Sequence, residues 1–137
     1  MTIDAERRAL QAAIVVFGFV PVLAGGAGAF GALDLASIGP HGETADVSAQ
    51  SHLRYLSGLL LGIGLAFWAS VPRIEAYGGR VRLLAAIVVL GGLARLWGLA
   101  LDGVPAPTML FALPMELVVT PSIAVWQGRV ARLFETR

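Results

Sequence analysis

The sequence predicts an all-α integral membrane protein, a four-helix bundle with both termini cytoplasmic. Three observations carry that expectation. Of 137 residues, 57% are hydrophobic and only 14% charged, against roughly 25% charged in an ordinary soluble domain. Mean hydropathy is +0.78, and a small soluble domain buries too little of its surface to hide that much apolar area. The charges are also spaced so that four long apolar stretches remain between them. A soluble enzyme and a disordered chain, which needs low hydrophobicity and high net charge, are both excluded.

Each span is justified by length, since about 20 mostly apolar residues cross the hydrocarbon core. Leu10 to Leu33 contains no charge, and neither does Tyr55 to Pro72. Leu83 to Leu101 is interrupted only by Arg95, and Val104 to Gly128 only by Glu116. The expected helices are 10–33, 53–72, 82–102 and 106–128, within a single domain covering 1–137. The first stretch follows Arg7 and Arg8 as a signal peptide would. It is longer than a secretory apolar region of about 7–15 residues, so we expect a retained helix. The segment 34–52 forms the longest polar loop, with a turn at Ile38-Gly39-Pro40-His41-Gly42 and room for a short surface helix.

Arginine near the helix ends sets orientation. Arg7, Arg8, Arg73, Arg80, Arg82, Arg129, Arg132 and Arg137 fall on one side, which is then cytoplasmic. The other side carries Asp34, Glu43, Asp46 and Asp102, with Arg54 at a helix mouth. The chain is expected to cross the membrane several times. Net charge is +1, with no basic run for nucleic acid. The absence of cysteine removes disulfides, thiolate metal sites and cysteine nucleophiles. His41 and His52 have no metal-ligand spacing, and no cofactor or metal motif is present. Gly25-Gly26-Ala27-Gly28 lacks the strand and lysine of a phosphate loop. Ser57 has no base in a triad-like arrangement.

The informative residues are ionisable groups inside the spans, because a charge at the bilayer centre costs about 2.5–3.5 kcal/mol and normally faces a bundle interior. Arg95 lies seven residues before Asp102, or about 10 Å from the outer face at 1.5 Å per residue. Glu116 lies nine residues past Pro107, or about 13 Å in. A short connection makes these two helices antiparallel neighbours, so the two charges reach one level, with Arg54 near it and His52 as a weaker proton-relay candidate. Gly91, Arg95, Gly98 and Asp102 share one helical stripe, and Arg54, Gly58 and Gly62 another. Gly58 and Gly62 form a small-xxx-small pair suited to close helix packing, a role also expected of Gly91, Gly92 and Gly98. Gly18, Pro21, Gly25 and Gly28 lie on one stripe of the first span, where a bend is expected. Pro114 and Pro121 flank Glu116 and free nearby carbonyls.

The segments Arg54-Tyr55-Leu56-Ser57-Gly58-Leu59-Leu60-Leu61-Gly62, Gly91-Gly92-Leu93-Ala94-Arg95-Leu96, Asp102-Gly103 with prolines, and Glu116-Leu117-Val118-Val119-Thr120-Pro121 resemble the small four-helix bacterial membrane proteins of the domain of unknown function 4345 family. The resemblance runs from about His52 to Trp126. It implies a four-helix protein of a proteobacterial inner membrane and supplies no activity. Its motif positions here are Arg54, Gly58, Gly91, Gly92, Arg95, Asp102, Glu116 and Pro121; Ser57 and Thr120 depart from it.

Two readings of the charged cluster stand side by side. One is a structural ion pair. The other is an outer-facing polar pocket in which Arg95 and Arg54 hold the anionic or polar head of a lipid-like or small amphipathic molecule, with Glu116 as counter-ion. The functions expected are therefore a non-enzymatic binder or carrier or, as alternative, an accessory or assembly subunit of a larger membrane complex or a homo-oligomer. An isomerase-type enzyme using Glu116 ranks last. General acid–base work at neutral pH needs a carboxyl that keeps its proton, and a facing guanidinium favours the carboxylate.

Overall fold

The computed structural model describes residues 2–33 and 47–136. Four helices follow one another: α1 (Ile3–Ala29), α2 (Val47–Ser70), α3 (Gly78–Asp102) and α4 (Pro107–Glu135). Each is long and apolar enough to cross a membrane, and no strand occurs among the described residues. The protein is an all-α, multi-pass membrane protein. The turn expected at 38–42, His41, and the surface helix expected before residue 47 lie outside the described residues.

The helices run past the apolar stretches that announced them. α1 starts at Ile3 rather than at residue 10, with Asp4 and Glu6 in its first turn, where the positive end of the helix dipole favours carboxylates. It stops at Ala29, short of residue 33. There Gly31 turns to φ 80°, and the Ala32 and Leu33 N–H groups both donate to the Ala27 carbonyl at 2.8 and 3.0 Å. α2 takes 47–52 from the expected loop, so His52 is helical. A 3-10 turn, Val71–Arg73, follows it. α3 begins four residues earlier than expected, and α4 runs on to Glu135 rather than stopping at 128. Apolar length reports the hydrocarbon core, whereas a helix keeps its internal hydrogen bonds into the headgroup layer.

Two compact units make up the chain: Met1–Ile14 with Ala69–Arg137, and Val15–Trp68. In the second, α1 and α2 run antiparallel. Trp68 Nε1 donates to the Val15 carbonyl at 3.1 Å, and its ring meets Phe19 edge-on at 5.0 Å. Gly18 leaves space for that indole, and Gly28 leaves space for the Ser57 side chain. At Gly25 the backbones themselves close up: a methyl there would sit 2.5 Å from the Leu61 nitrogen and 2.8 Å from the Ser57 carbonyl oxygen. Gly64 leaves space for the Val22 side chain, whose Cγ2 a methyl there would meet at 2.7 Å, and for the Pro21 ring. The stripe expected to bend α1 is therefore a packing seam. The glycines expected to pack at Gly58, Gly62 and Gly91 are exposed, with nothing within 4 Å of an added methyl. The reason is phase: Ser57, Leu61 and Gly64 take the inner face of α2, which turns Gly58 and Gly62 outward. On α3 it is Gly92, one position on from Gly91, that is buried.

The first unit is held at the arginine-rich end. Leu10, Ile14, Ile74, Val81 and Val130 are its fully buried apolar side chains, each at most 2% exposed. The turn joining α2 to α3 has carbonyls without helical partners, and side chains from distant helices supply the donors. Arg7 donates to both Glu75 carboxylate oxygens, at 2.8 and 3.3 Å, and to the Pro72 carbonyl at 2.9 Å. Gln11 donates to the Val71 carbonyl at 2.7 Å, and fully buried Gln127 to the Ile74 carbonyl at 2.9 Å. Arg7→Met keeps the apolar stem and removes three of these bonds. We expect it to cost on the order of 1–2 kcal/mol, read as faster tryptic cleavage after Arg73 in detergent with the melting temperature lowered by a few degrees.

Candidate functional site

The site forms in the first unit, where α3 and α4 pack side by side. Asp102 ends α3, and Gly103 leaves the helix at φ 96°, a conformation that glycine adopts without strain. Pro107, with its preset φ, starts α4 after a short connection. The two helices are thus antiparallel. Gly92 brings them close, since a methyl on it would meet the Leu117 side chain at 2.8 Å and the Glu116 Cβ at 2.9 Å.

One turn along α3, Arg95 reaches Glu116. Its Nε donates to Oε2 and its Nη2 to Oε1, both at 3.1 Å. This is the two-pronged geometry that gives arginine–carboxylate pairs their strength. Both side chains are partly buried, at 33% and 20% exposed. The remaining guanidinium nitrogen, Nη1, faces the Met109 sulfur at 3.2 Å, a weak acceptor.

Glu116 does not sit on regular α-helix. Met115–Val119 is a π-helical turn, preceded by Pro114 and followed by Thr120-Pro121. Pro121 has no N–H to offer the preceding turn. The Thr120 N–H and its hydroxyl, the latter at 2.8 Å, both donate to the Met115 carbonyl, and the Ser122 hydroxyl donates to the Val118 carbonyl at 2.7 Å. Both hydroxyls add bonds to carbonyls of this turn, and neither reaches the Leu117 carbonyl that an N–H at position 121 would meet in an α-helix. A π-turn inserts a residue and offsets the faces before and after it, a feature frequent at functional sites. The prolines beside Glu116 were visible in the sequence; the change of helix type was not.

Beside the pair opens a cleft of about 230 Å³, lined by Arg95, Gly98, Leu99, Asp102, Pro105 and Met109, with Gly103 at its edge. Arg95 and Asp102 therefore share a lining. Gly98 contributes empty space: a methyl on it would meet only the Asp102 carboxylate, at 3.6 Å. Arg54 and His52 belong to the other unit. There the Arg54 guanidinium lies beside Gly31, and the exposed His52 ring stands 6.4 Å from that of Tyr55.

Met109 and Leu99 were not singled out in the sequence because apolar residues in an apolar span carry no signal, and Pro105 was read only as part of the turn with Asp102-Gly103. A second groove, of about 470 Å³, was also missed. It runs along Pro121, Ser122, Val125 and Trp126, and at one end Arg129 Nε pairs with the buried Glu6 carboxylate at 2.8 Å. Its charges lie outside the apolar stretches, where charge is ordinary.

No curated protein and no solved structure matches the chain. A family model, the domain of unknown function DUF4345, matches residues 9–127, a range that takes in both members of the Arg95–Glu116 pair, the cleft beside it and all four helices in large part. The chain belongs to the DUF4345 family.

Proposed function

We propose that this multi-pass membrane protein binds or carries a lipid-like or small amphipathic molecule, with the polar head in the cleft beside Arg95 and the apolar part in the surrounding lipid. One observation supports this above the purely structural reading. The Arg95–Glu116 pair is satisfied on one side, while the guanidinium edge left over faces an open cleft and a weak sulfur acceptor. At about 230 Å³ the cleft is smaller than the roughly 300–1,000 Å³ of a drug-sized site, and so suits a headgroup rather than a whole ligand. The excess of arginine at the other helix ends supports an outward-facing cleft with both termini cytoplasmic, and the proposed location is a bacterial inner membrane.

The test is lipid extraction and mass spectrometry of protein purified in mild detergent. A co-purifying amphipath is expected with the native protein and is expected to be lost from Gly98→Phe, whose ring fills the cleft. Equal retention by both proteins sinks the proposal.

A second reading rests on the exposed glycines. Gly58 and Gly62 present a small-residue face with no described residue within 4 Å of an added methyl, the kind of surface that lets another helix approach closely. It supports a homo-oligomer or a role as accessory subunit of a larger membrane complex. A monomer by mass measurement in lipid nanodiscs counts against it.

A further inference from the structure

We infer that the cleft takes a primary ammonium headgroup, of the ethanolamine type, rather than an anionic one. This rests on the reading above and gives the ligand its chemical class. The charges decide it. The single guanidinium at the cleft is already matched by Glu116 through two hydrogen bonds. Asp102 lines the cleft as well, and among the described residues no hydrogen bond or ion pair reaches its carboxylate. Arg95 and Asp102 are the charges of the lining, and Glu116, paired to Arg95 just outside it, tips the local balance to negative.

The backbone adds to that excess. α3 ends at Asp102, on the edge of the cleft. The last four carbonyls of a helix have no intrahelical donors, and that end carries the negative pole of the helix dipole. A phosphate or carboxylate head would meet the Asp102 carboxylate and this pole together. An ammonium meets an ionic acceptor and carbonyl oxygens, which suit its three N–H donors.

The lining also separates ammonium types. Quaternary ammonium groups are recognised by aromatic faces, and none of the lining residues is aromatic. A trimethylammonium head has no N–H for the Asp102 carboxylate, so a choline-type lipid is disfavoured. In a zwitterionic ethanolamine lipid the phosphate is left for the free edge of Arg95, Nη1, where Met109 sulfur is readily displaced.

The experiment is native mass spectrometry of the full chain released from nanodiscs holding equal parts phosphatidylethanolamine, phosphatidylcholine and phosphatidylglycerol. The expected result is phosphatidylethanolamine retained about five-fold over the other two, the worth of one partly exposed charge pair. Asp102→Asn is expected to keep lipid bound and lose the preference, while Asp102→Glu, which restores the charge, keeps it. Melting temperature checks that both variants are folded. Preferential retention of phosphatidylglycerol, or a preference unchanged in Asp102→Asn, overturns the ammonium assignment and leaves the cleft a ligand site. Equal lipid retention by the native protein and Gly98→Phe, with no headgroup preference, overturns the binding reading beneath it. A separate arm uses nanodiscs of phosphatidylcholine and phosphatidylglycerol with dissolved ethanolamine. Ethanolamine retained there through Asp102 assigns the site to a free amine and overturns the lipid source.

Discussion

Glu116→Ala is expected to leave little folded protein in mild detergent, the largest single effect of any substitution considered. The change removes both acceptors of the Arg95 guanidinium and strands a positive charge between two apolar helices. Removing one partner of a buried pair costs about 3–5 kcal/mol in water-soluble proteins. Arg95 is only two-thirds covered, which lowers the figure where the remainder reaches water and leaves it high where the remainder meets lipid. A loss on the order of 3 kcal/mol is the central expectation. The companion is Arg95→Met with Glu116→Met, which removes both charges and keeps the volume. Replacing a buried ion pair by apolar residues is often neutral or stabilising, so the double variant is expected to recover most of the melting temperature and to lose ligand. Thermal unfolding in one detergent, with lipid retention alongside, separates the two roles of the pair. A double variant no more stable than Glu116→Ala refutes the stranded-charge account.

The second large effect is expected at Gly25. All three atoms that a methyl would meet belong to the α2 backbone or its Cα, at 2.5–2.9 Å, so no rotamer change relieves the clash and the two helices must part. Overpacking typically costs about 1–3 kcal/mol, and a seam that separates along its length puts Gly25→Ala at the upper end. Gly62→Ala is the control. It meets nothing within 4 Å, and alanine is favoured over glycine inside a helix by roughly 0.5–1 kcal/mol. It should be neutral or slightly stabilising in a monomer. Unfolding by titrated denaturing detergent reads both. If Gly62→Ala proves the damaging change, that face is in contact with another chain, and the oligomer reading gains accordingly.

The contrast between Gly25 and Gly62 also shows what spacing alone leaves open. Small residues recur at helical intervals on two faces of α2, and a period says only that residues share a face. Choosing the face needs the neighbour, and Gly25 and Gly28 on α1 supply it. The spans themselves were legible because lipid imposes a length and a polarity that composition displays directly. Arg95 and Glu116 stood out for the same reason, as charges where lipid should be, and counting residues from each helix end put them at one depth; the helices hold them 3.1 Å apart. The π-turn under Glu116 was not legible, since proline spacing fixes which hydrogen bonds are missing but not how the backbone redistributes the rest. Nor was the Arg7–Glu75 contact, because charged residues at helix ends are ordinary and nothing in their spacing pairs positions 68 apart.

The turn between α2 and α3 has a consequence for how the chain is made. Its Ile74 carbonyl is met by Gln127, and its Glu75 by Arg7, so one donor lies far upstream of the turn and the other far downstream. During synthesis the first donor has long since left the ribosome when the turn emerges, and the other does not yet exist. Until the fourth helix has been released, the turn keeps an unmet carbonyl and an open apolar pocket around Ile74. A nascent chain halted before Gln127 thus lacks the donor that completes this turn, and the fourth helix is the one that closes it.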